Sequence, residues 1–125
     1  MNTVLWILQC LLAALMLLAG LMKLLRTKQQ LLDSGSMDWT EDFSEQQIKG
    51  IGTLELLAAI GLILPAAVDV IPVLTAIAAS GVVLLMLGAG ATHGRRGELT
   101  NLIPNIVIGA IALFIAIERF GPHAF

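Results

Sequence analysis

The chain has 125 residues, 58% of them hydrophobic and only 13% charged, with a mean hydropathy of +0.92. Soluble domains carry about 25% charged residues, so most of this surface cannot face water, and the length suits one domain. A net charge of −2 excludes a basic face for a nucleic-acid backbone.

A bilayer core about 30 Å thick needs about 20 mostly apolar residues in a helix. The first such stretch runs from Val4 to Met22 without a charge. Met1-Asn2-Thr3 supplies no basic leader region and no small-residue cleavage site follows, so the stretch is expected to remain in the mature protein. Cys10, the only cysteine, lies within it and cannot form an internal disulfide, so it reads as a small packing residue. A longer polar connection follows, from about Lys23 to Lys49. Within it Asp38-Trp39-Thr40-Glu41 has the form of a helix cap with its partner carboxylate. Trp39 and Phe43 would share one face of a short amphipathic helix over the bundle mouth.

The second stretch, Ile51 to Val68, is interrupted only by Glu55. Pro65 and Pro72 mark a tight turn at Ala66 to Val70. The third stretch, Ile71 to Thr92, is uncharged, and His93-Gly94-Arg95-Arg96-Gly97-Glu98 links it to the fourth, Leu102 to Ile117. With their flanks the spans cover about 4–23, 50–68, 71–92 and 102–119 of a single domain over residues 1–125. The expectation is an all-α, integral membrane four-helix bundle of up-down topology, with a short amphipathic helix in the first loop.

Sidedness follows from Lys and Arg. Loops one and three carry Lys23, Arg26, Lys28, Lys49, Arg95 and Arg96, and the other side carries only Arg119. The positive-inside rule then puts loops one and three in the cytoplasm and both termini outside a cell (inner) membrane.

Membrane helices associate through small and polar residues, since lipid gives apolar side chains no reason to leave it. The inward stripes are read as Gln9, Ala13, Met16, Gly20 and Lys23 in span one, and Gly52, Glu55, Ala59 and Leu62 in span two. Span three offers Ala78, Gly81, Leu85 and Gly88; span four offers Asn101, Asn105, Gly109, Ala112 and Ala116.

Glu55 is the most informative residue. It sits six positions past Lys49, about 9 Å along a helix. A carboxylate in hydrocarbon must be paired, protonated or facing a wet cavity. One reading pairs it with Lys23 to fix helix register. The other makes it part of a ligand site whose candidates are Lys23, Lys49, Gly52, Glu55, His93, Asn101 and Asn105, which the topology gathers at one end. Asp69, Glu118 and Arg119, at the other end, read as ordinary interface charges. His93 and His123 fall at opposite ends, which argues against a bis-histidine haem, and no zinc, di-iron, phosphate-loop or covalent-catalysis pattern occurs. A metal-based or covalent mechanism is therefore not expected, and whether the chain catalyses a reaction stays open, with the balance against it.

Ile48-Lys49-Gly50-Ile51-Gly52-Thr53-Leu54-Glu55-Leu56-Leu57, followed by Ala59-Ile60-Gly61-Leu62-Ile63-Leu64-Pro65, resembles the signature of the DoxX-like membrane family. Gly20-Leu21-Met22-Lys23-Leu24 resembles its first block. Leu74-Thr75-Ala76, Met86-Leu87-Gly88-Ala89, His93 to Glu98 and Glu118-Arg119-Phe120 resemble its later blocks in order. The resemblance implies a four-helix membrane bundle and, among relatives, subunits linked to thiosulfate:quinone oxidation, to membrane oxidoreductase complexes, and chaperones of channels. The leading expectation is a small bundle binding a quinone-like or lipid-like apolar molecule as an accessory of a membrane redox system, with a quinone as the candidate cofactor. The alternative is an assembly factor holding partner transmembrane helices. Expected partners are the lipid bilayer, a membrane oxidoreductase subunit or other membrane protein, and a second copy of the chain in a homo-oligomer. A proton-coupled transporter is the weaker third reading, since no inverted repeat with broken helices is evident.

Overall fold

The computed structural model describes residues 1–34, 40, 41 and 43–124, with the side chains of Leu99 and Asn101 outside the description. Among the described residues five helices follow in order: α1 (Asn2–Leu25), α2 (Lys28–Asp33), α3 (Glu45–Ala67), α4 (Leu74–Arg95) and α5 (Leu99–Phe120). Four of them, all but α2, contain windows long and apolar enough to cross a membrane. They pack in sequence around one core, α1 on α3, α3 on α4, α4 on α5, with a lighter closing contact between α1 and α5. Leu5, Leu12, Met16, Leu62, Val82 and Ile115 meet at its centre, and Leu11, Leu18, Leu84 and Leu87 stand on the outside. The chain is a multi-pass membrane bundle.

Loop one is organised by two capping boxes. Thr27 accepts from the Gln30 amide while the Gln30 side chain accepts from the Thr27 amide, starting α2. Ser44 and Gln47 repeat the exchange and start α3 at Glu45, within the polar stretch ahead of the apolar run. The cap expected at Asp38 and the shared face of Trp39 with Phe43 involve residues 35–39, which lie outside the described residues. Thr40 and Glu41 form one turn, closed by the Phe43 amide on the Thr40 carbonyl at 3.1 Å.

The α3–α4 turn departs from the expected pair of flanking prolines. Pro65 lies inside α3, and the helix runs on to Ala67. Its missing N–H leaves the Gly61 carbonyl without the usual helical donor. The Thr75 hydroxyl supplies one at 3.2 Å from across the turn. The helix then closes with Asp69 at φ 55° and the Val70 amide on the Pro65 carbonyl at 2.9 Å, a Schellman-type end carrying Asp where glycine is usual. Ile71 at φ 47° precedes Pro72, so α4 starts at Leu74, three residues after the apolar run begins.

The expected inward stripes hold in α1 and α3, where every named residue is buried. They hold in α5 for Ala112 and Ala116. In α4 the fully buried residues are instead Thr75, Ala76, Ala79, Val82 and Thr92; of the expected stripe Ala78 packs against the core, Gly81 and Leu85 are half-buried, and Gly88 is exposed. Cys10 is exposed on the outer face of α1 rather than packed inside.

The tightest helix contact joins α1 to α3. A Cβ on Gly20 would lie 2.8 Å from the Gly52 carbonyl oxygen, and one on Gly52 would lie 3.0 Å from that of Gly20 and 2.9 Å from Lys23 Cβ. Two backbones touch, so neither can yield as a side chain would. Gly52→Leu should therefore lower stability by about 1–3 kcal/mol or more through overpacking. Gly50→Ala, with nothing within 4 Å, should be neutral or slightly stabilising. Thermal unfolding of both variants in one detergent separates the two; equal midpoints would show that the glycine contact is not tight.

Candidate functional site

The Gly20–Gly52 contact sets the spacing for the charges one turn away. Lys23 Nζ lies 2.8 Å from Glu55 Oε1, and the two side chains are 7% and 6% exposed. Both expectations for Glu55 meet here: it is paired with Lys23, and the pair forms part of a cavity wall.

That cavity is a cleft of about 1,040 Å³ between α3 and α4, with Lys23 and Glu55 at its inner side and His93, Arg95 and Phe43 toward its loop-one end. Its flanks are apolar, among them Ile51, Leu54, Ala58 and Leu84. Leu54 is 54% exposed and Leu84 69%, so the cleft opens sideways on the face of the bundle that meets lipid. The shape follows from the α3–α4 packing. Near the turn the helices touch, a Cβ on Gly61 falling 2.9 Å from Ala78 Cβ. Farther along α4, Cβ atoms on Gly81 and Gly88 would meet nothing within 4 Å, and both glycines line the opening.

Three of the seven residues singled out in the sequence, Lys23, Glu55 and His93, line this cleft together. Gly52 lies behind them as the contact that seats Lys23. Lys49 Nζ donates to the carbonyls of Lys23, Leu24 and Arg26 at 2.9, 2.8 and 2.6 Å, using its three donors to cap the C-terminus of α1. Asn105 Nδ2 donates to the Met86 carbonyl at 2.7 Å, joining α5 to α4 beside Gly90. The Asn101 side chain lies outside the described residues.

His93 is held by the way α4 ends. Gly97 takes φ 71°, the Glu98 amide bonds the His93 carbonyl at 2.9 Å, and the Gly97 amide bonds the Gly94 carbonyl at 3.2 Å. This turns Glu98 back, placing its Oε1 3.0 Å from His93 Nδ1 and 3.3 Å from Arg96 Nε. Arg96 in turn reaches Glu41 of loop one at 4.0 Å.

The opposite end holds a network that the sequence reading took for ordinary interface charge. Arg119 is only 3% exposed. Its Nε donates to Gln9 Oε1 and one terminal nitrogen to Asn2 Oδ1, each at 2.8 Å, and the guanidinium carbon lies 6.0 Å from the centre of the Trp6 ring. Gln9 passes the link on, Nε2 donating to the Leu62 carbonyl at 2.9 Å. The signal available was Gln9, a polar residue on the buried stripe of α1 that needed a partner. Of the other charges there, Asp69 is exposed and Glu118 pairs with His123.

The model of the DoxX-like family matches residues 7–115, nearly the whole chain. The protein belongs to the DoxX-like family. No curated protein and no solved structure matches the chain.

Two expectations test the site. Removing one member of a buried pair strands the other charge, so Lys23→Met should cost about 3–5 kcal/mol, and Lys23→Met with Glu55→Met should regain most of it. A double-mutant cycle on unfolding in micelles reads this directly, and additive losses would contradict the pairing. Glu98, outside the spans, is held below the ordinary carboxylate value of 4.5 by the His93 hydrogen bond first and by Arg96 next. A lowered carboxyl contributes stability above its unfolded value and loses it as pH falls through its folded one. The Glu98 carboxyl carbon shift should therefore titrate below 4.5, and His93→Gln should move the midpoint up.

Proposed function

We propose that the protein binds a lipid-like or quinone-like amphipathic molecule in the α3–α4 cleft, as an accessory component of a membrane redox system. The observation that carries the binding reading is the cleft itself. It is apolar along its flanks, opens to the lipid side, and ends in a paired charge, Lys23 with Glu55, at its inner wall. Such a site suits a ligand with an apolar body and one polar head, since pockets are lined mainly by apolar groups with a few placed polar ones. Glu55 would accept a hydrogen bond from the head or relay a proton, with Lys23 balancing its charge. His93 would complete the polar end. The redox association rests on the family resemblance alone. Loops one and three, with six of the seven Lys and Arg residues, are placed in the cytoplasm by the positive-inside rule, and both termini outside.

A second reading is supported by the same cleft. Gly81 and Gly88 present α4 backbone with nothing packed on it, a face to which a partner transmembrane helix could fit closely. The protein would then be an assembly factor for a membrane complex.

Native mass spectrometry of the protein extracted gently from its own membrane distinguishes these, with Gly81→Phe and Glu55→Gln alongside. Gly81→Phe adds a ring at a residue that lines the cleft and whose Cβ would meet nothing within 4 Å. A small-molecule adduct on the wild type that Gly81→Phe removes, and Glu55→Gln weakens, is the expected result. A second protein lost instead would make it an assembly factor. Retention of the adduct by Gly81→Phe would place any ligand elsewhere.

A further inference from the structure

The positive charges at the loop-one end of the bundle are mostly committed. Lys23 is paired with Glu55 at 2.8 Å, so the inner wall is close to neutral. Lys49 spends its ammonium on three α1 carbonyls and lies near Glu45 at 3.9 Å. Arg96 engages Glu98 and Glu41. His93 is bonded to Glu98. Arg26 and Arg95 are the exceptions: both are exposed, and among the described residues no acceptor lies within hydrogen-bond or ion-pair distance of either guanidinium, but of the two Arg95 alone lines the cleft. A cleft with apolar flanks, a neutral inner wall and one uncommitted guanidinium at its rim is complementary to an apolar body bearing net negative charge.

We propose that the occupant of the α3–α4 cleft is an anionic phospholipid of the surrounding bilayer, its acyl portion on the apolar flanks and its phosphate on Arg95. This rests on the cleft-binding reading above and selects within it, since a quinone carries no charge for Arg95 to meet. Arginine's planar fork bonds phosphate oxygens in a bidentate way that a solvated lysine does not match. Basic pockets between membrane helices at the headgroup level are where anionic heads are taken up. The lateral opening lets a lipid enter from the leaflet without crossing water. Arg95 follows His93 by two positions near the end of α4, which places it at the boundary where a phosphate lies rather than within the apolar length of the helix. Its nearness to the C-terminus of α4 also suits the helix dipole, and that role alone would be indifferent to which lipid is present.

The test uses the full chain, delipidated in neutral detergent, with dioleoylphosphatidylglycerol and dioleoylphosphatidylcholine as probes and bound lipid counted by native mass spectrometry. Wild type should hold one phosphatidylglycerol about tenfold more tightly than phosphatidylcholine. Arg95→Gln should erase that preference, weakening phosphatidylglycerol about tenfold and phosphatidylcholine, whose choline already balances its phosphate, much less, with the protein still folded; Arg95→Lys should restore part of the preference. Gly81→Phe should lose both lipids. Equal binding of the two lipids by wild type, or a preference that survives Arg95→Gln, overturns the headgroup assignment while leaving the cleft reading standing. Oleate displacing phosphatidylglycerol at equal concentration overturns the phospholipid in favour of a single-chain carboxylate. Binding of either lipid that Gly81→Phe does not reduce overturns the cleft reading itself.

Discussion

Two backbones in contact at Gly20 and Gly52 set the geometry on which the rest of the loop-one end depends. Because neither residue has a Cβ, α1 and α3 approach closely enough for Lys23 and Glu55, one turn further along each helix, to meet at 2.8 Å while almost fully buried. In lipid the alternative for each charge is a steep desolvation cost, so the pair forms only where the helices are held this close. Lys49 reinforces the contact from α3 by capping the end of α1 with three hydrogen bonds. A glycine contact, a buried ion pair and a lysine cap thus hold the same two helices at successive positions.

The other helix pairings use different means, and the contrast explains where space is left. Near the α3–α4 turn, Gly61 lies against Ala78 and Thr75 supplies the donor that Pro65 removes. Asn105 ties α5 to α4 beside Gly90, and Gly109 lies against Met86. Between α3 and α4, Gly61 meets Ala78 near the turn, whereas farther along α4 Gly81 and Gly88 face open space. The open stretch is the cleft lined by Ile51, Leu54 and Ala58 of α3 and by Gly81, Leu84 and Gly88 of α4. The cleft is therefore a consequence of where the small residues fall along α4, and its polar end comes from the α1–α3 seam.

Much of this was legible in the sequence because lipid simplifies the rules. Apolar length announces the four spans, and the small and polar stripes of α1 and α3 lie inward as read, since a buried Gln, Lys or Glu has few other places to go. The stripe of α4 was misread because small residues accompany both close packing and open space. Gly81 and Gly88 have the composition of a packing face and the surroundings of a cleft wall. The helix α3 extends beyond the apolar stretch that marks the span: apolar periodicity begins at Ile51, whereas the helix begins at the Ser44 capping box in polar sequence. The Thr27-Lys28-Gln29-Gln30 and Ser44-Glu45-Gln46-Gln47 spacings carried that information. Lys49 and Asn105 were grouped with the site by depth alone; depth does not say which way a side chain turns, and theirs bond backbone carbonyls.

Arg119 shows why charge near a span end cannot be assigned to the interface by position. A long side chain at such a place can snorkel outward or fold inward, and hydropathy treats the two alike. What decides is whether the interior offers acceptors. Here Gln9 and Asn2 both present carbonyl oxygens to it, and the Trp6 ring lies within reach of its face. Gln9 simultaneously donates to Leu62, three residues before the proline of α3. The terminal end of the bundle is thereby closed by hydrogen bonds running from α5 through α1 to α3, while the loop-one end keeps its lateral opening. Closure at one end and access at the other is the arrangement that a site filled from the side of a membrane requires.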